Sequence, residues 1–217
     1  MVWAVCFDLD GTLIDSTDAI VASFFHTFDV FGLPHPPRDR IVDTIGHVLE
    51  DQFQLFTDRD PHECTEVYRA HYGETCCERT TLLPGARELL ERLQEAGLRL
   101  GFATSKRRCY AEQVLAHLEV LDHFSSRLGP DDVKQPKPHP EALLVAAEQL
   151  GVRPAEMVFV GDTHFDVLAS RAAGVRCVCV TTGYATREAL EALEPEAVYD
   201  TLAEVGDHIL GDRVGCV

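Results

Sequence analysis

Asp8 and Asp10 stand two apart in "DLDGT" (8–12), directly behind the apolar run "MVWAVCF" (1–7). A buried strand ending in a polar turn would account for them. So would a pair of carboxylates held at the rim of a sheet, one to attack an electrophile and one to shuttle a proton. Two more aspartates, Asp162 and Asp166 in "GDTHFD" (161–166), lie one helical turn apart behind a second apolar run, "MVFV" (157–160). Thr104, Ser105 and Lys106 follow a third, "LRLGFA" (98–103). The chain has three lysines, Lys106, Lys134 and Lys137, and all of them fall in these loops, the last two in "KQPKPHP" (134–140).

Each of these groups has a part in phosphoryl transfer. Carboxylates converging on one point repel one another unless a divalent cation sits among them, and hard oxygen ligands suit Mg2+. An aspartate can attack phosphorus, and a carboxylate two residues along can protonate the leaving oxygen and later deprotonate water. A threonine and a lysine can hold the phosphoryl oxygens, and Gly11 lets the backbone turn tightly and present N–H groups to an anion. Asp162 could equally serve as the N-cap of the helix that follows it.

These positions need elements to carry them. The three runs already named, with "CVCV" (177–180), have the length and apolar character of strands buried on both faces. Between them "PGARELLERLQEAG" (84–97) puts Leu89, Leu90 and Leu93 on one helical stripe and stops at Gly97. "HPEALLVAAEQLG" (139–151) does the same with Leu143, Leu144, Ala147 and Leu150. Strand–helix alternation at this spacing predicts a doubly wound, mostly parallel α/β sheet, with ligands at the carboxyl ends of the strands. Residues 15–81 break the rhythm. Ile20, Phe24 and Phe28, then Ile41, Ile45 and Leu49, recur at helical spacing, separated by turns at "GLPHPPRD" (32–39) and "TDRDP" (57–61). The expectation is an α/β core of residues 1–14 and 82–217 with a helical cap of residues 15–81.

The bulk properties exclude other classes. The 217 residues carry a formal charge of −17, which argues against nucleic acid or an anionic membrane as partner. A phosphate ligand must then be recruited locally, by a metal ion or a well-placed cation. No run approaches the about 18 apolar residues of a membrane helix. The N-terminus lacks a basic leader region, so the expected location is cytoplasmic. Eight cysteines without a CxxC pair read as free thiols, with Cys6, Cys177 and Cys179 as small buried side chains. Nothing in the residues distinguishes a monomer from a homodimer.

The set of motifs resembles the haloacid dehalogenase (HAD) superfamily: DxDGT at 8–12, a hydroxyl after a strand at Thr104, a lysine before proline at Lys137, and GDxxxD at 161–166. Their order and spacing match, and with the helical insertion the resemblance covers nearly the whole chain. "DGTLIDS", "TSK", "KPHP" and "TTGY" (181–184) look most like the phosphoglycolate phosphatases. The resemblance implies Asp8 as nucleophile and Asp10 as general acid and base. It implies Mg2+ bound by Asp8, the main-chain carbonyl of Asp10, and Asp162. Thr104 and Lys137 would contact the phosphoryl group, with Gly11 and Ser105 beside it, and Asp166 would ligate the metal or support its ligands. The partner expected is a small phosphorylated metabolite.

Several chemistries share such a core. Dehalogenases of the superfamily lack the second acid of the DxD pair, and Asp10 is present. Phosphonate hydrolases use a cap lysine, and residues 15–81 contain none. Mutases that resemble this chain carry a cap histidine where Ile20 stands. Hydrolysis of a phosphomonoester remains the first expectation. The alternatives are a sugar-phosphate mutase, a pyrophosphatase, a nucleotidase or a catalytically silent phosphate-binding protein. In the cap, relatives place a substrate-contacting loop near "IGHVLED" (45–51), which nominates Gly46 and His47; a helix junction with a solvent-facing histidine reads as well. Arg38, Arg40, Arg69 and Arg79 are each able to hold a second substrate anion or to balance nearby acids. Lys106 reaches the site or lies on the surface, Lys134 is a solvated neighbour of Lys137, and His26 is a packing residue.

Overall fold

The computed structural model describes residues 2–214. Met1, where the first predicted strand began, and Cys216, counted among the free thiols, lie outside the described residues. In chain order the elements are β1 (Ala4–Phe7), β2 (Ile14–Asp15), α1 (Thr17–Val30), α2 (Arg38–Val42), α3 (Leu49–Gln54), α4 (Pro61–Thr75), β3 (Thr81–Leu82), α5 (Ala86–Glu95), β4 (Arg99–Ala103), α6 (Arg108–His117), β5 (Phe124–Leu128), α7 (Glu141–Gln149), β6 (Met157–Gly161), α8 (His164–Ala173), β7 (Arg176–Val180), α9 (Arg187–Glu191), β8 (Ala197–Tyr199) and α10 (Leu202–Val214).

Six strands form one parallel sheet in the order β5-β4-β1-β6-β7-β8. All four residues of β1 and all five of β6 are buried, as central strands covered on both faces must be. Alternate residues feed two cores. Val5 and Phe7 join an apolar cluster with Leu89 of α5, Val114 of α6 and Val205 of α10. Ala4 and Cys6 pack instead with Leu143 of α7 and Ala169 of α8. Helices therefore sandwich the sheet. The chain runs from β1 outward to β4 and β5, then returns to β6 on the other side of β1. The crevice at such a reversal is where an open α/β sheet binds its ligands.

Two strands of this sheet escape the sequence pattern, as does the short pair β2 and β3. In β5 (FSSRL) only Phe124, Ser126 and Leu128 are buried, so polar residues interrupt the apolar run. The strand β8 has only three residues, all half-buried. One stripe needs correction: α7 buries Ala142, Leu143, Ala146 and Ala147, while Leu144 is 43% exposed. From Leu143 the helical steps of three and four reach Ala146 and Ala147, and Leu144 falls off that face. After α5 the chain leaves the helix through Gly97 at φ +77, the left-handed turn that glycine makes without strain.

Residues 17–75 carry α1 to α4 and bury Ile20, Phe24, Phe28, Ile41 and Ile45. No single helix runs through Ile41, Ile45 and Leu49, because α2 ends at Val42, Ile45 lies in a turn and Leu49 opens α3. Phe24 is the centre of their packing, with Phe53 at 4.7 Å and Tyr68 at 5.3 Å between ring centroids. The chain leaves for these helices through β2 and returns through β3, and the two strands pair antiparallel, Ile14 opposite Leu82. The seven described cysteines are free thiols, and Cys6, Cys177 and Cys179 are buried. Among the described residues, no helix is long and apolar enough to cross a membrane.

Candidate active site

Three parallel neighbours end side by side, and each delivers a chemically useful residue at its carboxyl end: Asp8 after β1, Thr104 after β4 and Asp162 after β6. Asp8 is held from below by its neighbour, because the Leu9 N–H donates to Asp8 Oδ1 at 2.7 Å. The following turn is closed by Gly11 at φ +80, whose N–H donates to the Ile14 carbonyl at 2.9 Å. That donor is used within the loop, so the glycine contributes space: a Cβ on Gly11 would lie 2.5 Å from Asp162 Oδ2.

Lys137 arrives from the loop before α7 and is almost wholly buried. Its Nζ stands 2.8 Å from Asp8 Oδ2 and 2.7 Å from Asp166 Oδ1. Asp166 is itself fixed, since its Oδ2 accepts from the Thr163 N–H at 2.9 Å and the Thr163 hydroxyl at 2.7 Å. The N-cap of α8 is thus Thr163, not Asp162. Asp162 turns its carboxylate toward β1, where Oδ1 accepts from the Thr12 hydroxyl at 2.8 Å and Oδ2 from the Tyr184 N–H at 3.0 Å. A Cβ on Gly161 would lie 2.5 Å from the Asp166 side chain, so the small residue before Asp162 lets the two acids nest.

Asp8, Asp162 and Asp166 each offer an oxygen within 4.8 Å of the others. Three buried carboxylates against one ammonium leave two negative charges uncompensated, in surroundings that screen them poorly. The strain shows in their proton affinities. Burial pushes Asp8 up to about 6, although Lys137 pulls the other way. Asp162 is driven well above the ordinary carboxylate range, by burial first and then by Asp166 and Asp8. A divalent cation supplies the missing charge, and an all-oxygen donor set is the kind that magnesium-like ions take. The residues present fit such an ion.

Asp10 faces a different neighbourhood. Its Oδ1 accepts from the Ser16 hydroxyl and from Lys106 Nζ, the latter at 2.9 Å. Lys106 is not a surface residue: its side chain is 7% exposed, and Nζ also donates to the Tyr72 hydroxyl of α4 at 2.5 Å. Burial disfavours its charge, yet Asp10 holds its proton affinity above the ordinary lysine value. Thr104 is buried, and its hydroxyl accepts the Lys106 N–H at 3.2 Å. The Ser105 hydroxyl donates at 3.1 Å to the carbonyl of Gly46, joining the β4 loop to the inserted helices. His47 next to it is half-buried, its ring edge on Phe165 of α8 at 4.9 Å, and so is not simply solvent-facing. Lys134 is exposed, and exposed His26 stacks on His71 at 4.3 Å.

A cleft of about 170 Å³ opens between these groups and the helices. Asp10, Ser105, Lys106 and Lys137 line it from the sheet side, and Ile20, Ile45, His47, Arg69 and Tyr72 from the helix side. Of the four arginines nominated in residues 15–81, Arg69 alone lines this cleft. It also pairs with Glu50 and Glu66, each at 3.2 Å. Arg38 is turned away in a pair with Asp18 at 2.6 Å.

Sequence reasoning overlooked the residues that hold Asp162. In the sequence Thr12 stands only within DxDGT, and Tyr184 only within "TTGY". The signal available was a glycine followed by an aromatic just past β7, the kind of loop that can approach the site closely. Tyr72 left no signal beyond its helical spacing from Tyr68.

Comparisons with known proteins place the fold and the sequence in a family. The sequence model of the haloacid dehalogenase-like hydrolase family matches residues 5–180. The phosphoglycolate phosphatase of Salmonella typhimurium is 34% identical, over 93% of this chain and 90% of its own. That of Escherichia coli K12 is 32% identical over the same shares. A haloacid dehalogenase-like family hydrolase from Streptococcus pneumoniae superposes with a TM-score of 0.88 at 28% identity, over 96% of this chain and 98% of its own. By sequence and by fold, the chain belongs to the haloacid dehalogenase-like hydrolases.

Proposed function

We propose that this protein is a divalent-metal-dependent phosphatase that hydrolyses a small phosphomonoester of the phosphoglycolate type through an aspartyl-phosphate. The observation that carries this reading is the convergence of Asp8, Lys137 and the acids Asp162 and Asp166 at one end of the sheet, with Asp10 at the mouth of a small cleft. The relatives named phosphoglycolate phosphatase support the choice of substrate class.

An oxygen of Asp8 attacks phosphorus in line, the bond from phosphorus to the alkoxy oxygen breaks, and Asp10 gives its proton to that oxygen. Water then attacks phosphorus, the bond to Asp8 breaks, and Asp10 takes the proton that water loses. Lys137 and Thr104 hold the phosphoryl oxygens as charge builds on them. Mg2+, held by Asp8, the main-chain carbonyl of Asp10, and Asp162, would neutralise phosphoryl charge when bound. Asp166 supports this set by fixing Lys137 and the Asp162 backbone. In this reading residues 15–81 act as a cap on a core of residues 1–14 and 82–217, excluding water when closed. The cleft volume, below that of drug-sized sites, suits a leaving group of few atoms. Ile20 on the cleft wall offers no imidazole to a mutase reaction.

The test is phosphate release from 2-phosphoglycolate, pyrophosphate, nucleoside monophosphates and sugar phosphates, with Mg2+ or EDTA. Release is expected from a small monoester, abolished by EDTA and by Asp8→Asn. Turnover retained in Asp8→Asn would overturn the assignment.

A further inference from the structure

The phosphatase reading gives Asp10 the proton transfers but does not say what aims it. The two oxygens of its carboxylate are not equivalent. Ser16 and Lys106 both donate to Oδ1, and among the described residues none donates to Oδ2. An oxygen already accepting two donors has no room for a proton of its own, so the transferable proton belongs on Oδ2.

Lys106 is in turn fixed from the other side of the cleft. Its Nζ donates to the Tyr72 hydroxyl at 2.5 Å and lies 4.7 Å from the centroid of the same ring. Tyr72 is 2% exposed, stacks on Tyr68 at 5.6 Å and meets Tyr110 edge-on at 5.5 Å, so its position is set by packing. Tyr72 belongs to α4, whereas Lys106 belongs to the loop after β4. The ammonium therefore ties the inserted helices to the carboxylate.

We propose that Lys106, held by Tyr72, is a positioning residue for proton transfer: it orients Asp10 through Oδ1, presents Oδ2 to the leaving oxygen, and couples that alignment to the seating of the helices. As the proton moves from Oδ2 to the alkoxide, negative charge appears on the carboxylate, and the ammonium on Oδ1 stabilises it in place. The same contact holds the carboxylate as base for the water step. The inference rests on the phosphatase reading, and specifically on Asp10 as the acid.

Proton donation matters only for a leaving group that needs a proton. An alkyl phosphate expels a strongly basic alkoxide, whereas p-nitrophenyl phosphate expels a phenolate that leaves unaided. The experiment compares kcat and kcat/KM for 2-phosphoglycolate and p-nitrophenyl phosphate in the wild type, Lys106→Met, Lys106→Arg and Tyr72→Phe, with circular dichroism and Tm for each. Lys106→Met is expected to lose about 100-fold in kcat/KM on the alkyl ester and less than about 5-fold on the aryl ester, because kcat/KM ends with loss of the leaving group, before the water step that both esters share. Lys106→Arg should recover part of the alkyl activity. Tyr72→Phe, which removes one hydroxyl and keeps the ring, should show the same selectivity at about 5- to 10-fold. Equal losses in kcat/KM on both esters, or an undiminished alkyl kcat/KM in Lys106→Met, would overturn the proposal. Should Lys106→Met fail to fold, Tyr72→Phe decides: equal effects on kcat/KM for both esters overturn it. Asp10→Asn separates the two readings, because a loss there without leaving-group selectivity would remove Asp10 as the acid, whatever Lys106 does.

Discussion

Gly183 packs its backbone against the Asp162 carboxylate so closely that a Cβ on Gly183 would overlap Oδ2. The neighbouring Tyr184 N–H donates to that same oxygen at 3.0 Å. The loop after β7 is thus the wall that sets where Asp162 points. Gly183→Ala should push the carboxylate off this wall and cost about 1–3 kcal/mol of stability. The larger effect should be on metal dependence, with the half-saturating Mg2+ concentration rising about tenfold or more if Asp162 is the ligand proposed above. Metal titration of activity beside thermal unfolding checks this, and an unchanged metal requirement would contradict it.

Among the described residues, Lys137 is the one ammonium within bonding distance of both Asp8 and Asp166. Removing it leaves buried negative charge without a partner, a change that costs about 3–5 kcal/mol in buried pairs. Lys137→Ala should lower the unfolding free energy measured by denaturant titration in EDTA by that amount and abolish measurable turnover. Added Mg2+ should restore part of the stability but not the turnover. A variant as stable as the parent in EDTA would show that the ammonium is not compensating the cluster.

The raised proton affinity of Asp8 has a sign that can be worked through. Its ordinary value is 3.8, and in the folded protein it rises to about 6. The folded chain holds that proton more tightly than the unfolded one, so this group favours folding fully below pH 3.8. That contribution is lost as the pH rises through about 6. A cation needs the ionised carboxylate, so binding must expel the proton wherever it is still held. Mg2+ affinity should therefore fall below about pH 6, with more proton release at pH 5.5 than at pH 7.5. Calorimetric titration in two buffers of different ionisation enthalpy measures this, and equal proton counts at both pH values would refute it.

Much of this site was legible in the sequence because its residues sit where strands end. Asp8, Thr104 and Asp162 each follow a run buried on both faces, and such runs announce themselves. The edge strand β5 did not, since Ser125 and Arg127 face outward and break the apolar run. What supports the first residues was harder to see. Thr12 meets Asp162 across 150 positions, and Lys106 meets Tyr72 across 34. Tyr68 and Tyr72 share a helical face that could belong to any packed helix. No local pattern records which loop they will face.

Arg69 is the residue that only the fold could single out, because choosing it among four arginines requires α4 to be set against the loop after β4. It lines the cleft opposite Asp10 and Lys137, with its side chain 24% exposed and its guanidinium shared between Glu50 and Glu66. Two acids on one guanidinium hold it in place, and both are more exposed than the arginine itself. A leaving group bearing a carboxylate would meet this cation, whereas a neutral alkyl group would not. Hydrogen bonds to a charged partner contribute about 1.5–3 kcal/mol, or roughly 10- to 100-fold in affinity. Arg69→Met should raise KM for 2-phosphoglycolate by that factor with kcat little changed, and leave KM for ethyl phosphate within about twofold. Equal changes for the two substrates would mean that Arg69 serves the packing of α3 against α4, where Glu50 already ties them together.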